Sequence, residues 1–335
     1  MQGAVLGIES TAHTLSIGWV DVKGKIHPSI NSSVRPDEGG IHPREAAESH
    51  RDSVPLLIRE YVEHPDRPDK VVAVAFSQGP GMGPCLRIGA SVARSMATIW
   101  NVPLIGVNHC VAHIEVGRTM CEMDDPLLLY VSGGNTQVIT RVDGRYRVMG
   151  ETLDIGIGNA LDKFGRSNGM PFPAGPTLEE LAAEWKNIHD GEIPPLLELP
   201  YAVHGMDLAF SGLVTAAQRY CNQGMDIRAV AHAIQEHAFA ACVEVAERAM
   251  AHTGKHELLL GGGVACNERL RTMCEMMAKQ RSGRSAAPPK WVCIDNGSMI
   301  ALTARKMLDI GRTTPLEDSG IIQELRTDHE VVAWA

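Results

Sequence analysis

The sequence predicts an α/β protein built from two similar domains. A strand–turn–strand–turn–strand pattern opens the chain and recurs about 120 residues later, the mark of internal duplication. Glycine is abundant, 33 of 335 residues, while aromatics make up only 4%. A Val/Leu/Ala-rich chain with so many glycines suits tight strand-to-helix turns.

In order, Ala4–Glu9 reads as an apolar strand, Ser10–Thr14 as a polar turn, and Leu15–Asp21 as a second strand ending at Lys23-Gly24. Val71–Phe76 is a strand, Gln78–Pro84 a Gly/Pro loop, Leu86–Trp100 a helix and Pro103–Val107 a strand running into His109. The second copy has a strand at Leu127–Val131, a turn at Ser132–Asn135 and an alternating strand at Thr136–Val142. Asp143-Gly144 then signals a hairpin into Tyr146–Gly150. Beyond the Gly/Pro-rich stretch Gly165–Pro176, a helix is expected over Thr177–Trp185. In a longer one, Ile227–His252, Val230, Ile234, Ala238, Ala241 and Val245 fall at helical spacing. A strand at Glu257–Leu260, a glycine turn, a helix at Asn267–Lys279, a strand at Trp291–Ile294 and a helix at Ser298–Leu308 complete the pattern. Met206–Leu213 reads as a packed loop and Lys279–Lys290 as a basic loop. The expected domains are 1–118 with about 298–335, and 119–297 with an inserted helical segment.

Composition narrows the function. A formal net charge of -9 argues against a general nucleic-acid binder, which needs a broad basic face. The eight cysteines include no C-x-x-C pair and sit in apolar stretches, as expected of reduced thiols in a cytoplasmic protein. No membrane span is expected, because no segment approaches about 20 apolar residues.

Three constellations can carry chemistry. Ser132-Gly133-Gly134-Asn135-Thr136 is a hairpin of small residues whose backbone N–H groups suit phosphate oxygens, or an ordinary turn. Gly261-Gly262-Gly263-Val264-Ala265-Cys266-Asn267 follows a strand and opens a helix, where a nucleotide can approach the backbone; Asn267 is also an N-cap candidate. His109 and His113, four apart at the head of a helix, present both imidazoles on one face. Asp295, at the end of the expected Trp291–Ile294 strand, completes a His, His, Asp set with open positions, although Asp295 and Asn296 can also cap the helix that follows. Two glycine turns of this kind resemble the arrangement of the actin, sugar-kinase and chaperone-ATPase superfamily. There two duplicated RNase H-like domains flank a nucleotide cleft, and Glu9–Thr14 would be the first domain's matching hairpin.

The motifs GIESTAHT (Gly7–Thr14), QGPGMG (Gln78–Gly83), VNHCVAHIE (Val107–Glu115), YVSGGNTQV (Tyr130–Val138) and GNALDKFGR (Gly158–Arg166) follow one another in a familiar order. FPAGPTLE (Phe172–Glu179), MDLAFSGL (Met206–Leu213), GGGVACNERL (Gly261–Leu270), CIDNGSMIA (Cys293–Ala301) and the RTD tail at Arg326–Asp328 continue it. Over essentially the whole chain they resemble the universal tRNA threonylcarbamoyladenosine transferase family. The match is to its archaeal and eukaryotic form, the catalytic subunit of the KEOPS complex, formerly named O-sialoglycoprotein endopeptidase. The resemblance implies transfer of a threonylcarbamoyl group from threonylcarbamoyl-AMP to adenosine 37 of tRNAs reading ANN codons. It implies one divalent metal, iron or zinc, on His109, His113 and Asp295, with Tyr130 as a fourth ligand. It places ATP or the adenylate on Tyr130, Val131, Ser132, Gly133, Gly134, Asp162, Gly175, Glu179 and Asn267. Its implied partners are tRNA, a separate small atypical kinase and the small KEOPS subunits. Ser10 and Ala174 stand where the family has glycine, and Arg281–Lys290 looks irregular beside it.

Three rivals remain at the level of sequence. An ATPase or sugar kinase of this fold would hold magnesium, which rarely takes two imidazoles. A metallopeptidase would carry H-E-x-x-H, and here Cys-Val-Ala separates the histidines. A nucleotide-controlled scaffold would need no metal.

Overall fold

The computed structural model describes residues 2–34, 42–190, 192 and 194–334. Two compact units emerge: Met1–Thr119 with Val142–Tyr146 and Ile294–Ala335, and Met120–Arg141 with Arg147–Cys293. Asp295 therefore belongs to the same unit as His109 and His113.

The first unit is built on β1 (Ala4–Glu9), β2 (Thr14–Val20), β3 (Ile30–Ser33), β4 (Val71–Gly79) and β5 (Leu104–Asn108) in the order β3-β2-β1-β4-β5. β1, β2 and β3 pair antiparallel, while β1–β4 and β4–β5 are parallel. β1 and β2 are buried along their whole length, so they read as apolar runs rather than alternating ones. α1 (Pro43–Glu63) and α2 (Gly83–Trp100) pack against each other, and α3 (His109–Met120) continues directly from β5.

The second unit holds β6 (Leu127–Val131), β7 (Thr136–Val142) and β8 (Arg145–Glu151), followed by α4 (Ile157–Ser167) and α5 (Gly175–Ile188). The short strands β9 (Val203–His204) and β10 (Asp207–Leu208) pair with each other ahead of α6 (Ser211–Asn222) and α7 (Ile227–Thr253). β11 (Glu257–Gly261), α8 (Glu268–Gln280), β12 (Arg284–Ala286) and α9 (Lys290–Cys293) follow. The five-stranded sheet runs β12-β11-β6-β7-β8, which read from its other edge is the first unit's order. β6–β7 is antiparallel and β6–β11–β12 parallel, again as in the first unit. The duplication expected from sequence is thus present in topology. α7 is buried on most of its circumference and forms the spine of this unit's core with Leu129, Phe164, Phe210 and Leu260.

The last helix, α10 (Gly297–Asp309), returns to the first unit. A Cβ on Gly7 would lie 2.2 Å from the Gly297 carbonyl, and one on Gly297 would lie 2.4 Å from the Gly18 amide. Only glycines allow the head of α10 to rest on the backbones of β1 and β2.

Several expectations need correction. Trp291–Ile294 is not a strand: Lys290–Cys293 forms one helical turn behind Pro288-Pro289, and the fifth strand is β12, inside the stretch expected to be a loop. Met206–Leu213 is not a loop but β10 and the first turn of α6. Asp162, expected at the nucleotide, instead accepts the Ala174 N–H on Oδ1 at 2.7 Å, while its neighbour Lys163 is exposed.

Candidate functional site

The head of α3 is set by Asn108, whose Oδ1 accepts the N–H groups of Cys110 (3.0 Å) and Val111 (3.2 Å). Its amide in turn donates to the Arg326 carbonyl at 3.1 Å, which ties the RTD tail beneath the helix start. His109 and His113 are one turn apart, with ring centroids 4.7 Å apart and planes at 86°.

Asp295 reaches both rings. Its Oδ1 lies 3.5 Å from His109 Nε2 and 3.2 Å from His113 Nε2. The cap of α10 is Asn296, which accepts the Met299 N–H at 2.9 Å, so Asp295 is left to the imidazoles. One candidate ligand atom from each of His109, His113 and Asp295 lies within 4.8 Å of the others. The histidine side chains are 7% and 2% exposed and Asp295 is 18% exposed, so the carboxylate edge is the open side of the triad.

Sequence reading missed the residue that holds His109. Glu9, wholly buried at the end of β1, places Oε2 3.0 Å from His109 Nδ1, and its Oε1 accepts the Thr11 N–H at 2.6 Å. Thr11 Oγ1 also lies 3.4 Å from that ring nitrogen. Burial alone would press His109 toward neutrality, but the Glu9 and Asp295 carboxylates outweigh it and lift its pKa to about 9. Burial wins at His113, which is lowered. Burial also opposes the charge of Asp295, yet His109 and His113 hold it well below the usual carboxylate range. With Nδ1 committed to Glu9, His109 presents Nε2 toward Asp295 and His113. Two imidazoles and a carboxylate, with a carboxylate behind one ring, fit a borderline divalent metal such as zinc or iron.

The expected nucleotide residues lie in the second unit. The Ser132 N–H donates to Asn135 O at 2.8 Å and Ser132 Oγ accepts the Asn135 N–H at 3.1 Å, closing the hairpin. The first N–H groups of α4 are spent on this hairpin: Ile157 on Thr136 Oγ1, Gly158 on Ser132 O and Asn159 on Gly133 O. A Cβ on Gly158 would lie 2.7 Å from Gly133 Cα, and one on Gly262 would lie 2.4 Å from the Val131 carbonyl, where φ is also +88°. Those glycines are required by packing. Gly134, Gly175 and Gly263 are different: none has a positive φ, and a Cβ on any of them would meet nothing within 4 Å. Their side-chain-free surface faces open space.

Other expected contacts already have internal roles. Asn267 caps α8, accepting from Arg269 N (2.9 Å) and Leu270 N (3.2 Å), and its amide donates to Gln235 at 3.1 Å. Glu179 accepts the Glu268 N–H at 2.7 Å. Tyr130 is buried at the end of β6, beside Val131, and so belongs to the second unit. Ser10 Oγ rests against Gly89 of α2, and the Ala174 methyl against Gly165 of α4.

A fold of two duplicated α/β units, one bearing a His–His–Asp triad and the other glycine turns, is that of the actin, sugar-kinase and chaperone-ATPase class. Its coordinates superpose on those of T. kodakarensis HypF with a TM-score of 0.60 at 15% identity, over 92% of this chain and 48% of that one. Within that class the chain belongs to the tRNA N6-adenosine threonylcarbamoyltransferase family, a family of transferases whose model matches residues 26–302. A relative of that name from Archaeoglobus fulgidus is 50% identical over 98% of this chain and 99% of its own length. A probable bifunctional tRNA threonylcarbamoyladenosine biosynthesis protein from Methanospirillum hungatei is 49% identical over 99% of this chain, which spans 61% of that relative. Among the described residues no helix is long and apolar enough to cross a membrane.

Proposed function

We propose that this chain transfers the threonylcarbamoyl group from threonylcarbamoyl-AMP to the exocyclic amine of adenosine 37 in tRNAs reading ANN codons. It would do so as the catalytic subunit of a KEOPS-type complex in the cytoplasm, with a separate small kinase and small accessory subunits as partners. The donor carbonyl is already activated as a mixed anhydride with phosphate. The amine nitrogen attacks that carbon, the carbon–oxygen bond to phosphate breaks, AMP departs and the amine loses a proton. What the protein must supply is placement of a weak nucleophile against the donor.

The observation that carries this reading is that three glycines of the expected nucleotide turns, Gly134, Gly175 and Gly263, have no internal need. Backbone bare of Cβ lets phosphate and adenine approach N–H groups closely. Ser132, Gly133 and Gly134 would cradle phosphate. Gly175 and Gly263 would line the nucleoside, with Asp162, Glu179 and Asn267 holding the turns in place. His109, His113 and Asp295 would hold a divalent iron or zinc ion, joined by Tyr130, and that ion would supply Lewis acidity and orientation for a donor oxygen.

The test is mass spectrometry of tRNA nucleosides after incubation of the full chain and its partner subunits with threonylcarbamoyl-AMP. N6-threonylcarbamoyladenosine is expected with the wild type and not with His109→Ala/His113→Ala, whose circular dichroism stays native. Normal modification by the double variant would overturn the metal's part, and none by the wild type would overturn the reading itself.

A further inference from the structure

In a chain of net charge -9, the face formed by α4 and α6 has the opposite sign. α4 carries Lys163 and Arg166, and α6 carries Arg219; all three are exposed. None forms an ion pair among the described residues. The two helices are neighbours, joined by the Asn168 amide donating to Gln218 Oε1 at 3.0 Å. They contain one carboxylate between them, Asp162, and it is turned onto the Ala174 N–H. The acid nearest in sequence, Asp154, is also spent: it accepts the N–H groups of Ile155, Phe210 and Ser211 at 2.6, 2.9 and 2.9 Å. The chain neutralises some of its cations elsewhere, as in Arg269–Glu236, Arg284–Glu257 and Arg228–Asp226. Here it leaves three of them facing water.

The position of this face gives it meaning. α4 begins against the glycine hairpin, since a Cβ on Gly156 would lie 2.5 Å from the Gly133 carbonyl. Asn159, Lys163 and Arg166 stand at i, i+4 and i+7 and share one side of the helix. At 1.5 Å per residue, Lys163 and Arg166 lie about 10 and 15 Å along the axis from Gly156. Ser167 on α4 and Thr215 on α6 are exposed as well, their hydroxyls donating to Lys163 O and Ser211 O and left free to accept. The pattern is a short row of exposed cations set among neutral hydrogen-bonding groups, leading away from the donor turn. It suits a polyanion with regularly spaced single charges, read by charge rather than by base.

We propose that the α4–α6 face, through Lys163, Arg166 and Arg219, binds the phosphate backbone of the RNA acceptor and guides it toward the Gly133–Gly134 turn. This rests on the functional reading above. With one small patch working against an acidic remainder, the chain alone is expected to bind tRNA weakly.

The test is kinetic and uses the full chain with its partner subunits. Initial rates of tRNA modification are measured against tRNA concentration from 50 to 200 mM KCl, roughly the range over which phosphate contacts dominate affinity. For Lys163→Ala/Arg166→Ala/Arg219→Ala, KM for tRNA is expected to rise about tenfold or more while kcat changes far less. The slope of log(kcat/KM) against log salt should become shallower by about 2–3, near one for each phosphate that no longer meets a cation. Affinity for AMP and thermal stability should stay at wild-type values. The single variant Lys163→Gln should move the slope by about 1 in the same direction. If the wild type modifies tRNA and the variants match its KM and salt slope, the face is not an RNA site, though the reaction stands. If the variants lose a partner subunit on size exclusion yet keep their tRNA kinetics, the face belongs to a protein and the proposal falls. If the wild type modifies no tRNA, the functional reading fails first and this inference fails with it.

Discussion

Glu9→Gln should change the pH dependence of metal binding more than its strength at neutral pH. In the metal-free protein His109 has its pKa lifted to about 9 by Glu9 and Asp295 against the opposing effect of burial. A metal must displace its Nε2 proton. At pH 7 that displacement costs about 2.7 kcal/mol, two pKa units at 1.36 kcal/mol each, or about a hundredfold in affinity. His113 is lowered by burial and adds no comparable cost above its ordinary value of 6.5. Wild-type affinity should therefore rise about tenfold per pH unit between pH 7 and 9, then level off. Glutamine removes the charge, so the His109 pKa falls and the curve flattens from a lower pH. It also weakens the hold on Nδ1, a loss of about 10–100-fold seen best at pH 9.5, where proton competition has gone. The two effects oppose each other at pH 7, where the variants should lie close together. Zinc titration against a competing chelator from pH 6.5 to 9.5 measures both. Parallel curves for the two proteins, or a flat wild-type curve, would refute the assignment of Glu9 as the residue that charges and aims His109.

Other outcomes follow from the same structure. Gly134→Ala should leave stability within about 0.5 kcal/mol, since its Cβ meets nothing, yet weaken AMP binding measured by calorimetry. Gly158→Ala, with a Cβ 2.7 Å from Gly133 Cα, should instead lower Tm. Tyr130→Phe keeps the ring and removes the oxygen, so zinc affinity should drop about tenfold if Tyr130 is a ligand and stay unchanged if it is only core. Glu115 is buried among Tyr146 Oη (2.5 Å), Lys306 Nζ (2.6 Å) and Arg118 Nη1 (3.1 Å). Burial opposes its charge, but Lys306 and Arg118 depress its pKa below the ordinary 4.5. Its stabilisation is therefore present above that value and lost as pH falls through the folded pKa. Glu115→Gln should cost about 2–4 kcal/mol in urea unfolding at pH 7, and the gap to wild type should close below about pH 4.5.

How much of this was legible in sequence depended on how local its cause was. His109 and His113 share a helix, so spacing alone brought them together. Asp295 was found although its surroundings were misread: Trp291-Val292-Cys293-Ile294 has strand composition, but the prolines before it start a helical turn. Glu9 was hidden because its partner lies 100 residues away. The available signal was a carboxylate closing the otherwise apolar run AVLGIE. α6 was missed for a similar reason: the carboxylate bonding the N–H groups of Phe210 and Ser211 at its start is Asp154, 56 and 57 residues upstream. α1 escaped notice because Pro55 interrupts it and only Ala46, His50, Leu57 and Tyr61 are buried over its 21 residues.

On the proposed function, the duplication gives a physical reason for the two units to hold different ligands. In the first, the last residue of β1 is Glu9, paired across the sheet with Ser16; in the second, the last residue of β6 is Val131, paired with Thr136. These positions are equivalent in the shared strand order. A buried carboxylate at this point needs a cationic or hydrogen-bonding partner, and His109 at the end of β5 supplies one. The turn after β1 is thereby drawn onto the imidazole through Thr11. Valine makes no such demand, so the turn after β6 bonds only to itself and to the start of α4, leaving Gly134 bare. On the proposed function, one difference at one register position therefore separates a hairpin that would organise a metal ligand from one that would offer its backbone to an anion. Placing Glu at Val131 should accordingly abolish AMP binding in the second unit and destabilise it by several kcal/mol, because β12, the counterpart of β5, is followed by Ala287-Pro288-Pro289 and not by a histidine that could accept the charge. Calorimetry of Val131→Glu with AMP, alongside its thermal unfolding, checks both; native stability in that variant would show that the register position does not control the choice.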